Sequence, residues 1–170
     1  DEILERLAFR RAQSDPDLLA FSAAILASRK KEPPVWQLAH VLVEIGTHLI
    51  LGGLDSIHME SQFIGLVGGM LSNGDRGYIV ETERRLGEEG RLHPDLIIRT
   101  SSEELVLEVK RAKPTESAIQ SAIQQVEVYL TVAMLRDGVV FFTPGGSNDY
   151  VLYVHERQGN RGKIIAVYPR

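Results

Sequence analysis

The chain is expected to form a mixed α/β domain. Its core elements run helix, three strands, helix, strand, with helices ahead of them and a β-hairpin closing the chain. Three observations predict this class. Apolar residues recur at helical spacing up to about residue 72 and at strand spacing beyond it. Turn signals at Asn73-Gly74, Thr100–Glu103 and Asp137-Gly138 divide the second half into short units. One long helical stretch, about 115–136, separates a strand pair from a buried strand, the alternation of a mixed α/β core.

Residues 2–13 place Ile3, Leu4, Leu7 and Ala8 on one helical face. Ser14-Asp15-Pro16-Asp17 starts a second helix with a capping side chain and a first-turn proline. The polar run from Arg29 to Pro34 ends that helix, and a third is expected from about Val35 to Leu51. A fourth is expected from about Ser56 to Ser72. Strands follow at 77–85, 94–100 and 104–110, then the helix at 115–136, a strand at 139–142, and the hairpin strands at 150–156 and 163–168. Residues 1–55 thus read as an N-terminal helical extension and 56–170 as the main domain.

With 170 residues, no cysteine and a net charge of -4, the chain reads as an ordinary globular protein. Disulfides, thiolate metal sites and a cysteine nucleophile are excluded. No apolar run reaches the roughly 18 residues a membrane span needs, and no signal peptide opens the chain, so a cytoplasmic protein is expected. It begins at Asp1 without methionine, so either a fragment of a longer protein with other domains or a processed product is expected. Residues 76–170 are charge-balanced, so nucleic-acid binding would need a local patch and metal ions to offset the acids.

The hairpin at 94–110 carries the chemistry. A turn centred between Ser101 and Ser102 sets Asp95 opposite Glu108, Ile97 opposite Val106 and Arg99 opposite Glu104. Lys110 shares that face, while Leu96, Ile98, Leu105, Leu107 and Val109 form the other, which is expected to be core. Opposed like charges destabilise a sheet by up to about 1 kcal/mol. A hard divalent cation with oxygen ligands would relieve the repulsion, and Lys110 would sit beside a metal-bound water. The same residues also allow a plain surface strand with Arg99–Glu104 and Glu108–Lys110 ion pairs.

His93-Pro94-Asp95 followed by Glu108-Val109-Lys110 resembles the PD-(D/E)xK nuclease superfamily. Gln125 and Tyr129, one helical turn apart on the next helix, resemble the Gln-xxx-Tyr signature of its RecB-like branch. The resemblance covers roughly residues 57–143. It implies a restriction-endonuclease-like αβββαβ core with a mixed sheet and a metal-dependent deoxyribonuclease, most simply an endonuclease. It further implies magnesium or manganese on Asp95, Glu108 and the Val109 carbonyl, with Glu60 completing the shell. Lys110 would orient the attacking water, Gln125 would contact the substrate backbone or the lysine, and Tyr129 would support the site. DNA is the implied substrate, and a homodimer would pair two sites.

Other assignments compete with these. Glu44, flanked by His40 and His48 at four-residue spacing, rivals Glu60 as the helical acid, although polar positions at a helix contact explain it more simply. Arg84, Arg85, Arg111 and Lys113 are candidates for a phosphate-contacting rim. His93 lies next to the site, but a loop role explains it too. A different class of function also fits: a catalytically silent nuclease-fold module used for nucleic-acid binding or assembly within a larger protein.

Overall fold

The computed structural model describes residues 2–17, 20, 32–51, 59–72, 77–143 and 149–170. Most of the second helix expected from the sequence, the basic triplet Arg29–Lys31, the turn at Asn73-Gly74 and the glycine-rich loop after Pro144 lie outside the described residues.

The described helices are α1 (Glu2–Ser14), α2 (Pro34–Leu51), α3 (Glu60–Leu71) and α4 (Glu116–Ala133). The strands are β1 (Ile79–Glu81), β2 (Leu96–Arg99), β3 (Glu104–Lys110), β4 (Asp137–Phe142), β5 (Tyr150–Glu156) and β6 (Lys163–Pro169). They form one mixed sheet in the order β1-β2-β3-β4-β6-β5. The β1, β2 and β3 pairings are antiparallel, and α4 carries the chain from β3 across to the parallel neighbour β4. The terminal strands do pair antiparallel, as the glycine-rich turn predicts, but β6 inserts beside β4 in parallel and leaves β5 at the sheet edge.

Both faces of the sheet are core, because each is covered by helices. Leu96, Ile98, Leu105, Leu107 and Val109 pack with Leu38, Leu42 and Ile45 of α2 and with Phe63, Val67 and Met70 of α3. On the other face Ile97, Val106, Val140 and Phe142 pack with Ile119, Ile123, Val126 and Leu130 of α4. Each such side chain, fully buried, is worth about 1.5–3 kcal/mol relative to exposure. The expectation that only one face of the β2–β3 ribbon is core is therefore corrected. Alternation along the ribbon was legible, but α4 buries Ile97 and Val106 on the face that also bears the charges.

Local chemistry sets the element ends. Thr115 caps α4, its Oγ1 accepting the Ala118 N–H at 3.2 Å. At the other end Met134 takes a left-handed conformation with φ 56°, stopping the helix three residues before the predicted end at Arg136. β1 spans three residues rather than the expected nine, because the chain turns away after Glu81 so that Arg84 reaches back to the hairpin. Helix α1 lies along α3 at close range. A Cβ on Gly69 would sit 2.5 Å from Ala12 Cβ and from the Phe9 carbonyl, so only glycine permits this approach. That contact holds α1 over the edge of the sheet near β1.

Candidate metal and nucleic-acid site

The ribbon register is the one the sequence predicts. Leu96 pairs Leu107, Ile97 pairs Val106 and Arg99 pairs Glu104. Asp95 and Glu108 come next, just before β2 begins, where β3 runs on paired with β4 and no longer with β2. There side chains replace the ladder. The Val109 N–H donates to Asp95 Oδ2 at 2.8 Å, and the Asp95 N–H donates to Glu108 Oε2 at 3.3 Å. Lys110 Nζ donates to Glu108 Oε1 at 2.8 Å. The Lys110 carbonyl accepts the Thr143 N–H, so Lys110 turns its backbone towards β4. Backbone groups alternate sides along a strand, so the Val109 carbonyl faces the gap beside Asp95.

This ground is costly for negative charge. Glu108 is 2% exposed. Burial and then the Glu108 charge push the Asp95 carboxyl up to about 8. Burial raises Glu108 as well, against the opposing pull of Lys110. Burial by itself would lower Lys110, but its bond to Glu108 and the charges of Glu108, Asp95 and Glu60 outweigh that and raise it. Lys110 therefore stays cationic at neutral pH.

Glu60 opens α3, and its Oε2 accepts the Arg111 N–H at 2.8 Å, tying the helix start to the end of β3. Gln125 donates through Nε2 to the Tyr129 hydroxyl at 2.7 Å, and that hydroxyl donates to the His93 carbonyl at 3.3 Å. Helix α4 thereby fixes the loop that delivers Asp95. Arg111 and Lys113 are exposed just past β3, and Arg85 is exposed in the loop after β1. Arg84 does not join them. It donates to Glu104 at 2.7 and 3.0 Å and to Glu81 at 3.1 and 2.5 Å. On α2, His40 lies 3.8 Å from Glu32 and stacks on Trp36, with ring centroids 5.9 Å apart.

The donor set suits a hard cation. Asp95, Glu108 and the Val109 carbonyl offer oxygen only, and Asp95 Oδ1 accepts no hydrogen bond among the described residues. Among the described residues no three His, Asp or Glu side chains converge into a ready-made metal cage, neither here nor around Glu44. The bonds through the Val109 and Arg111 N–H groups, and the Arg84 cluster, were not visible in sequence. Backbone donors leave no residue signature, and Arg84 acts across a loop whose path spacing does not reveal.

No protein-family model matches the chain, and no curated protein matches it. The fold is similar to that of a chain in the refined half-complex from the tetradecameric assembly of Thermococcus gammatolerans McrB AAA+ hexamers with bound McrC. The TM-score is 0.52 at 13% identity, over 89% of this chain and 46% of that one. This chain thus spans about half the length of the chain it matches, and at that identity the likeness is one of fold alone. No described helix is long and apolar enough to cross a membrane.

Proposed function

We propose that the chain is a divalent-metal-dependent nuclease of the PD-(D/E)xK, restriction-endonuclease-like kind, hydrolysing DNA phosphodiester bonds as an endonuclease. The observation that carries this reading is the open end of the ribbon, where Asp95 and Glu108 sit together in buried ground against one lysine. Asp95, Glu108 and the Val109 carbonyl would hold magnesium or manganese, with Glu60 at the margin of the shell. Once bound, such an ion supplies an acidified water and a Lewis acid for the phosphoryl oxygen.

The chain's own residues do the rest. Lys110, anchored on Glu108, orients the water and meets the charge that develops on the phosphate. Gln125 and Tyr129 act as positioning residues, holding the His93 carbonyl and through it the Pro94-Asp95 step. Arg85, Arg111 and Lys113 are exposed cations for flanking phosphates, and a homodimer would present two such sites to a duplex.

The test is incubation of plasmid and single-stranded DNA with magnesium or manganese. Cutting that vanishes in Asp95→Ala and Glu108→Ala supports the reading. No cutting under either metal, or cutting that survives both substitutions, rejects it. A second reading, a silent module of a larger assembly, draws on the likeness to half of a chain from a multi-subunit complex. Calorimetry separates the two: a working site binds manganese and loses that binding in Asp95→Asn, whereas a silent module shows neither.

A further inference from the structure

A cleft of about 630 Å³ opens between α1 and the loops at the end of β1. Its place follows from the topology. β1 is antiparallel to β2, so the residues just after β1 and just before β2 lie at one end of the sheet. That is the end holding Asp95 and Glu108. His93, two residues before Asp95, lines the cleft, and its carbonyl is the one Tyr129 holds.

The lining has two zones. Half-buried Glu5, Phe9, Val80 and Thr82 make the interior: a ring, an apolar wall and two hydrogen-bonding groups. The outer zone is exposed and carries Arg10, Arg85 and His93, whose side chains make no hydrogen bond or ion pair among the described residues. Arg6 is spent, lying 2.5 Å from Glu2 and 2.9 Å from Glu83. Formal charge in the lining cancels, three arginines against three glutamates, so it is no general polyanion trough. A flat aromatic solute with polar edges suits the interior, and a phosphate suits the free cations outside. The volume is that of a small-ligand pocket, typically about 300–1,000 Å³, and does not admit a duplex.

We infer that this cleft receives one unpaired nucleotide of the DNA strand whose phosphodiester lies at Asp95 and Glu108, the base beside Phe9 and its phosphate on Arg10 and Arg85. The inference rests on the nuclease reading for the identity of the strand. It makes the protein selective for single-stranded, frayed or locally opened DNA.

Binding is measured by fluorescence anisotropy in an Asp95→Asn/Glu108→Gln background, which removes the site's negative charge and any turnover. The probes are a labelled short oligothymidylate, an abasic strand of equal length, and a duplex. In that background Phe9→Leu, which keeps an apolar side chain against α3, and the surface pair Arg10→Ala/Arg85→Ala are each expected to weaken oligothymidylate binding by about tenfold. The abasic strand should bind about tenfold more weakly than oligothymidylate and be insensitive to Phe9→Leu. In the otherwise wild-type chain Arg10→Ala/Arg85→Ala should lower kcat/KM for single strands by about tenfold. Equal binding of the variants and the background protein, no preference for bases over the abasic strand, or no binding at all overturns the inference. If wild-type protein cuts nothing while the base-dependent binding holds, the nuclease reading fails and the cleft stands.

Discussion

One ribbon presents two charge clusters on the same face, and they differ in balance. At the turn end, Glu81 and Glu104 meet Arg84 and Arg99: two acids, two guanidiniums, with Arg84 reaching both carboxylates. There the Arg84 hydrogen bond holds the Glu104 carboxyl down at about 2, although partial burial opposes it. At the open end, Asp95 and Glu108, with Glu60 adding to the field, meet one cation among the described residues, Lys110, and the Asp95 carboxyl stands at about 8. The turn cluster is complete in itself and reads as structure. The open cluster sets more acid than base: Asp95 is held by the Val109 N–H, while Glu108 takes the Asp95 N–H and the Lys110 ammonium. That surplus of acid over base is what the proposed metal site rests on.

The largest expected effect tests the open cluster directly. Glu108→Gln keeps the shape but removes a charge, and DNA cleavage in magnesium should fall by about 10²–10³-fold or more in a steady-state assay. Arg84→Ala in the same assay should leave cleavage nearly unchanged. Equal losses would erase the distinction between the two ends.

Next comes pH. Asp95 has a folded-state pKa above its unfolded value, so the folded state binds the proton more tightly. Its contribution favours folding below its ordinary value of 3.8 and is lost as pH rises from there through about 8. In metal-free protein Asp95→Asn should therefore stabilise the fold at pH 8.5, by on the order of a few kcal/mol in urea titrations, and by much less near pH 5. A gain that grows towards acid pH would reverse the assignment.

Tyr129→Phe is expected to act more mildly. It removes the hydroxyl that joins Gln125 to the His93 carbonyl, so cleavage should drop by about tenfold while manganese affinity shifts less. The smallest effect belongs to the turn cluster. Arg84→Ala leaves Glu81 and Glu104 facing each other and should cost about 1 kcal/mol at pH 7, since the group is partly solvated. Glu104 has its pKa lowered, so that contribution exists above its ordinary value and disappears as pH falls through about 2. The difference between Arg84→Ala and wild type should shrink accordingly in acid.

The ribbon was legible because register follows from a short turn and from alternation. Once Ser101 and Ser102 are the turn, Arg99 must face Glu104, and Asp95 must approach Glu108. The placing of Gln125 and Tyr129 on one face was equally local. Arg84 was not legible. Its position after a strand reads as a rim cation, yet a short loop returns it to Glu104. Nor was the role of α1, which reads as an extension but packs along α3 and walls the cleft beside His93.

By itself the amino-acid sequence determined the α/β element order, the hairpin register and the set of residues that line up along it. These depend on periods of 2 and 3.6 and on turn chemistry, all short-range in the chain. Only the tertiary structure decided which charges are compensated. The charge balance depends on groups brought from distant elements, the cation Arg84 to one end and the further acid Glu60 to the other, and on α4 excluding water from the face between them. Burial and those neighbours turn a row of ordinary carboxylates into one whose proton is held weakly, at Glu104, and one whose proton is held tightly, at Asp95.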